Sequence, residues 1–176
     1  MIQRSVSPLI LTLKLDPKTL NLFDSLSQQH FHQEKNFLPA HITLFHALPA
    51  EQQLSVQQTL QEISSQTTVF SLTFPKLRFL GRGVAVEVDS PSLIQLRQQL
   101  AKLWQPWLSR QDQQGYRPHV TIQNKVVSEE ARQLFERMNG QWKAIEGEGE
   151  GLLLWYYRGG PWELAEAVAF QSVSPV

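Results

Sequence analysis

One short phrase occurs twice in this chain. Pro39-Ala40-His41-Ile42-Thr43-Leu44 and Pro118-His119-Val120-Thr121-Ile122 both run histidine, aliphatic, threonine, aliphatic after a proline, and their histidines stand 78 residues apart (41 and 119). On an extended strand successive side chains point to opposite faces. His41 and Thr43 therefore share one face and Ile42 and Leu44 the other, and the second phrase divides in the same way. A strand that buries its aliphatic face while showing an imidazole and a hydroxyl supplies half of a site. A single copy would be an ordinary half-buried histidine; two in matching context predict a fold that brings the two strands together.

The intervening pattern supports this. Leu9, Leu11, Leu13 and Leu15 alternate as a strand. Asp16 and Pro17 then cap and start a helix that runs to about His30, with Phe23, Leu26 and His30 at helical spacing. The first phrase predicts a strand over 40–48. A helix over about 50–65 carries Val56, Leu60 and Ile63. Residues 68–80 read as a strand that turns at Gly81-Arg82-Gly83 into Val84, Val86 and Val88, a hairpin. Asp89-Ser90-Pro91 opens a helix with Leu93, Leu96, Leu100, Leu103 and Trp107 as its stripe. The second phrase predicts a strand over 117–124. Ser128 is expected to cap a helix that buries Ala131, Leu134, Phe135 and Met138. Two aromatic-rich strands, about 152–157 and 162–170, close the chain around Arg158-Gly159-Gly160-Pro161. The order helix, motif strand, helix, hairpin thus appears twice. No low-complexity linker separates the halves, so residues 1–176 are expected to form a single α+β domain of two similar lobes facing a cleft.

Composition narrows the chemistry. The chain has 176 residues, a 41% hydrophobic fraction and no cysteine. Disulfides, thiolate nucleophiles and cysteine-ligated metals are excluded, and a reducing compartment is suited. Lys+Arg and Asp+Glu both number 16, for a formal net charge of zero. Proteins that grip long nucleic acid through many phosphates usually carry a basic surplus. If the ligand is nucleic acid, it is therefore short, or an end. The N-terminus lacks the apolar core of a signal peptide, and 9–15 is too short to span a membrane. A cytoplasmic protein without membrane association is expected.

Two histidines across a cleft can divide the roles of general base and general acid near neutral pH. A threonine two residues on projects the same way and donates to an anionic oxygen. Paired imidazoles and paired hydroxyls suit in-line displacement at phosphorus, with a base on the attacking oxygen and an acid on the leaving one. No metal or other cofactor is required. The residues leave open which histidine plays which part.

These phrases resemble the signature of the two-histidine (2H) phosphoesterase superfamily, in its 2′-5′ RNA ligase and RNA 2′,3′-cyclic phosphodiesterase-like branch. His41-Ile42-Thr43-Leu44 and His119-Val120-Thr121-Ile122 fit it without departure, and the prolines and Gly159-Gly160-Pro161-Trp162 add to the likeness. The resemblance covers essentially the whole chain. It implies a bilobal, pseudo-twofold α+β fold in which two antiparallel-rich sheets form a central cleft flanked by helices. It also implies metal-independent hydrolysis, or its reversal as ligation, at RNA 2′,3′-cyclic phosphate or 2′,5′-phosphodiester ends. His41 and His119 would be the acid/base pair, with Thr43 and Thr121 on phosphate oxygens. The alternatives are a phosphodiesterase for a small nucleotide metabolite and a non-catalytic RNA-end binding module. No protein partner is predicted, and a monomer is expected.

Alternation puts Arg117 on the face of His119 and Thr121, which makes it a candidate phosphate contact; Tyr116 and Lys125 flank the same phrase. Phe45, Phe79, Trp155 and Tyr157 are candidates for base stacking or core. His30-Phe31-His32 and His46 match no metal-ligand spacing and are read as surface or loop residues. Glu146-Gly147-Glu148-Gly149-Glu150-Gly151 lacks the ending of a phosphate-binding loop and is read as an acidic turn.

Overall fold

The computed structural model describes residues 7–30 and 38–172. Strand β1 (Leu9–Leu15) leads through helix α1 (Pro17–His30) to β2 (Ile42–Leu48). A short 3-10 turn then precedes α2 (Gln53–Ser65). Strands β3 (Phe70–Phe74), β4 (Leu77–Phe79) and β5 (Val84–Glu87) precede α3 (Pro91–Trp104). Strand β6 (His119–Gln123), helix α4 (Ser128–Asn139), β7 (Ile145–Tyr156) and β8 (Glu163–Ala169) complete the order. The fold is α+β, and every pair of named strands is antiparallel.

The strands form two sheets of different size. One orders β2-β1-β7-β3, with β8 also paired to β7; the other orders β4-β5-β6. The expected strand over 68–80 is divided between them, because Pro75 cannot donate to a ladder and separates β3 from β4. Strand β3 joins β7, whereas β4 turns back on β5 through the predicted hairpin. The two motif strands sit in different sheets, β2 in the larger and β6 in the smaller.

A single buried cluster runs through both sheets. It takes Leu9, Leu11 and Leu13 from β1, Phe23 from α1, Phe74 from β3, and Val120 and Ile122 from β6. Helix α1 packs against β6, so the helix before the first motif covers the strand that holds the second. The Asp16 carboxylate accepts from the Thr19 backbone N–H at 3.2 Å, as expected of an N-cap. Ser90 caps α3 in the same way, accepting from the Leu93 N–H.

Three expectations are corrected here. On α3 the buried bulky residue is Trp104, whereas Leu103 is 59% exposed. At about 100° per residue, position 104 lies close to the direction of Leu93 and position 103 well off it. Ser128 does not cap α4; it is the helix's first residue, Val127 precedes it in extended conformation, and no side-chain cap bond forms. The larger correction concerns 146–151, which is no turn but the first half of β7, paired to β3 from Phe70↔Gly149 to Phe74↔Ile145. Glutamates and glycines alternate there with the period of a strand. The glycines lie where neighbours come closest: a Cβ on Gly149 would press on Phe70 and Leu13, and one on Gly151 would collide with the Val168 backbone carbonyl.

Gly151→Ala is therefore expected to destabilise the protein by about 1–3 kcal/mol, the usual range for overpacking a rigid site, read as a lower urea midpoint. An unchanged midpoint would contradict this packing.

Candidate active site

The two phrases meet in one cavity of about 350 Å³ whose walls include His41, Thr43, His46, Arg78, Arg97, Tyr116, Arg117, His119, Thr121 and Trp162. His41 and Thr43 come from the start of β2 and its approach, His119 and Thr121 from β6. The aliphatic partners Ile42, Leu44, Val120 and Ile122 are buried on the opposite faces. Two-residue alternation thus places the four polar side chains, and the approach of β2 to β6 brings them together.

The same local bond holds both histidines. His41 Nδ1 lies 2.9 Å from the Pro39 carbonyl oxygen, and His119 Nδ1 lies 2.9 Å from that of Arg117. A carbonyl only accepts, so each Nδ1 carries a proton and donates it. Each Nε2 remains as the nitrogen that can exchange a proton with a ligand. Arg78 Nη1 stands 3.5 Å from His119 Nδ1. Guanidinium cannot accept, so the short carbonyl bond decides the tautomer and Arg78 acts on the ring as a neighbouring cation.

Both imidazoles are held below the ordinary histidine range. For His41, burial is the main cause; the bond to Pro39 and the charge of Asp24 oppose it, and His119 and His46 add to it. For His119, burial again leads, the Arg117 carbonyl opposes it, and the cations Arg78 and Arg117 reinforce it.

Register explains where those cations come from. Glu87 pairs with His119 across β5 and β6, and Ala85 pairs with both Arg78 and Thr121, so Arg78, Ala85 and Thr121 form one row across three strands. Glu87 Oε1 accepts from Arg78 Nε at 3.1 Å and from Arg117 Nη2 at 3.5 Å, with Lys76 3.6 Å from Oε2. Burial would raise the Glu87 carboxyl, but the bond from Arg78 and the surrounding cations hold it below the usual range. One carboxylate thus orients two arginines at the cavity wall and leaves an excess of positive charge there.

The back of the cavity is a buried network. Asp112 accepts from the backbone N–H of His46 (2.9 Å) and of Ala47 (3.0 Å), and its Oδ1 is 3.2 Å from His46 Nδ1. Arg97 donates to the carbonyls of Leu44 (2.7 Å) and Asp112 (2.8 Å), with its guanidinium 4.0 Å above the Phe45 ring. Tyr116 donates its hydroxyl proton to the Thr43 carbonyl at 2.9 Å. Burial pushes the Asp112 carboxyl up, and the bonds from His46 and Ala47 more than reverse this.

Against the sequence expectations, His41, Thr43, His119, Thr121 and Arg117 all line the cavity. Tyr116 lines it too, but its hydroxyl and its ring face are engaged by Thr43 and Arg97. Lys125, at a positive φ of 59° in the turn after β6, is not among the lining residues. His46, expected at the surface or in a loop, is an exposed residue of β2 on the cavity wall. His30 ends α1, while Phe31 and His32 lie outside the described residues. Phe45 is core, Phe79 packs on Phe135, and Tyr157 is 42% exposed. Arg78 and Trp162 also line the cavity, though no motif in the sequence marks either as a site residue beyond the place of Trp162 in the Gly159–Trp162 phrase. Trp162 follows the Gly159–Pro161 turn, and its ring centroid is 4.8 Å from that of His41.

The fold is shared with crystal structures of proteins of low sequence identity. TT0787 of Thermus thermophilus superposes with a TM-score of 0.65 at 13% identity, over 94% of this chain and 98% of that one. E. coli LigT complexed with 3′-AMP gives 0.61 at 14% identity, over 94% and 99%. LigT complexed with phosphate gives 0.60 at 16%, over 94% and 98%. At these identities the likeness shows a shared fold and nothing beyond it. Among curated proteins, none matches significantly. The model of the 2′-5′ RNA ligase superfamily matches residues 15–161, and the chain belongs to that family. Among the described residues no helix is long and apolar enough to cross a membrane.

The depressed histidines make a prediction about stability. Below pH 6.5 the unfolded chain takes up protons that native His41 and His119 resist, so stability falls as pH is lowered through 6.5. We expect Tm to fall between pH 7.5 and pH 5.5, and to fall less in the His41→Asn/His119→Asn double variant. Equal slopes in the two proteins would contradict the assignment.

Proposed function

We propose that this protein is a metal-independent phosphoesterase acting at RNA 2′,3′-cyclic phosphate or 2′,5′-phosphodiester ends, with His41 and His119 as its proton-transfer pair. One observation carries the reading: two imidazoles from different sheets, locked in the same tautomer by the same backbone bond, each with a threonine beside it in one cavity. The crystal complexes of LigT with 3′-AMP and with phosphate support a nucleotide phosphate as ligand. The formal net charge of zero favours a short end over a long duplex, since no basic excess is available to grip many phosphates.

The surroundings distinguish the two histidines. Arg78 and Arg117 oppose protonation of His119, which suits a base that begins neutral. Asp24 favours the protonated form of His41, and a bound phosphate dianion or diester would favour it further. In the hydrolytic direction His119 removes a proton from water as its oxygen bonds to phosphorus. The bond from phosphorus to the ribose 3′-oxygen breaks, and His41 gives that oxygen its proton. The product is a 2′-phosphate with a free 3′-hydroxyl, and solvent exchange restores both rings. Thr43, Thr121 and Arg78 hold the non-bridging oxygens, whose charge grows in the transition state. Ligation is the reverse path with a 5′-hydroxyl in place of water.

Turnover of a nucleoside 2′,3′-cyclic phosphate in the presence of chelator tests this. Wild type should yield the 2′-phosphate, and His41→Ala and His119→Ala should each fall by about 10²–10⁴-fold. Inactivity of the wild type on this and on 2′,5′-linked dinucleotides would overturn the proposal. Arg78→Gln removes a cation beside His119 and raises its pKa, so the acid limb of the kcat/KM profile should move to higher pH. A shift to lower pH, or none, would remove Arg78 from the account.

A further inference from the structure

A third imidazole opens on the same cavity, and a bulge in β2 puts it there. Thr43 pairs with Thr12 and Phe45 with Leu11, so Leu44 is an extra residue with no counterpart in β1. Unbroken alternation from His41 and Thr43 would send Phe45 into the cavity and His46 into the core. With the extra residue the two faces exchange. Leu44 and Phe45 are both buried, and His46 stands exposed on the cavity wall with His41 and Thr43. Arg97 holds the bulge from behind, since its Nε donates to the Leu44 carbonyl and its guanidinium lies over the Phe45 ring.

The ring is oriented as well as re-aimed. Its Nδ1 lies 3.2 Å from Oδ1 of the buried Asp112 carboxylate. A carboxylate only accepts, so Nδ1 carries the proton, and Nε2 of the neutral ring is an acceptor. Among the described residues none bonds to that Nε2. Charge on His46 acts on the rings of both His41 and His119, and on His119 more than the charge of Arg117 does.

We propose that His46 Nε2 accepts the second hydrogen of the water that attacks phosphorus, and so directs the site toward hydrolysis and away from transfer to an alcohol. The inference rests on the phosphoesterase reading above. Water brings two hydrogens to the attack. As its oxygen bonds to phosphorus, one passes to His119 Nε2, and the other stays on the oxygen and becomes a hydroxyl of the phosphate product. The bond from phosphorus to the 3′-oxygen breaks, and His41 supplies that oxygen's proton. Arg78 and Arg117 only donate, and Thr43 and Thr121 give their hydroxyl protons to phosphate oxygens, so none of these four serves the hydrogen that stays. His46 does. An alcohol has one hydroxyl hydrogen, which goes to His119, and it presents carbon where water presents its second hydrogen. The His46 acceptor is then left without a partner. A 5′-hydroxyl is in the same position, so the same ring disfavours ligation.

Competition between nucleophiles tests this. Adenosine 2′,3′-cyclic phosphate is opened in water containing a fixed concentration of methanol by wild type, His46→Leu and His46→Gln. Initial yields of the 2′-monophosphate and of its methyl diester are compared. The ratio is internal to one reaction, so a partly unfolded sample reports the same value. Loss of one neutral hydrogen bond should cut the water-to-methanol ratio by roughly 3- to 10-fold in His46→Leu. His46→Gln, whose amide oxygen keeps an acceptor, should hold the wild-type ratio. An unchanged or higher ratio in His46→Leu would overturn the proposal, as would loss of both products in equal proportion. An equal fall in both variants would also overturn it, by assigning the effect to packing and not to an acceptor. Inactivity of wild type on any cyclic phosphate would remove the phosphoesterase reading and this inference together, whereas turnover with an unchanged ratio removes this inference alone.

Discussion

The first motif strand lies at the edge of its sheet, and an edge strand with open backbone groups is a liability that must be covered. Strand β2 pairs with β1 on one side only. Side chains from one helix and one loop cover it. Asp112 takes the N–H groups of His46 and Ala47, Arg97 donates to the Leu44 carbonyl, and Tyr116 donates to that of Thr43. A hydrogen bond to a charged group contributes about 1.5–3 kcal/mol, and leaving such a group unpaired in the interior costs at least as much. Arg97 and Asp112 are 6% and 2% exposed, so neither can be satisfied by water instead. Because 108–117 runs directly into β6, the residues that seal the edge of the first motif strand also set the position of the second. Geometry at the two histidines depends on that seal.

The cavity is a place where protonated imidazole is disfavoured. Burial lowers both histidines, and the arginines beside His119 add to it. An oxyanion beside His41 would favour charge on that ring and satisfy the arginines, whose own charge still disfavours protonation of His119. Glu87 keeps this arrangement from becoming a simple basic patch. By orienting Arg78 and Arg117 along defined directions it pre-organises the positive charge, which is what makes such charge effective on a developing anion.

Much of this was legible from residues. The period of two in both phrases, the hairpin at Gly81–Gly83, the caps Asp16 and Ser90 and the stripe of α4 all reflect interactions within a few positions of the chain. Failures came where a local preference met a distant partner. Glycine has low strand propensity, so 146–151 read as a turn; yet its strict alternation was a strand signal, explained by Phe70, Leu13 and Val168 crowding the glycine face. Arg97 sits four residues after Leu93, on the buried stripe of α3, and its oddness there was a signal that only Leu44 and Asp112 explain. Arg78 could be placed opposite Ala85 from the hairpin, but not beside Thr121, because the pairing of β5 with β6 spans a helix and a long loop.

What this chain's sequence determines by itself is the content of each half-site. Strand alternation puts His and Thr on one face, and in both phrases the carbonyl two residues back accepts from Nδ1, so face and tautomer are held by neighbours in the chain. Only the tertiary structure decided that the halves meet, that Arg78 and Glu87 stand in rows beside Thr121 and His119, and that Trp162 walls off His41. Those outcomes depend on how two sheets and an edge strand are closed over one another, and contacts between segments so far apart in the chain leave no periodic trace in the order of its residues.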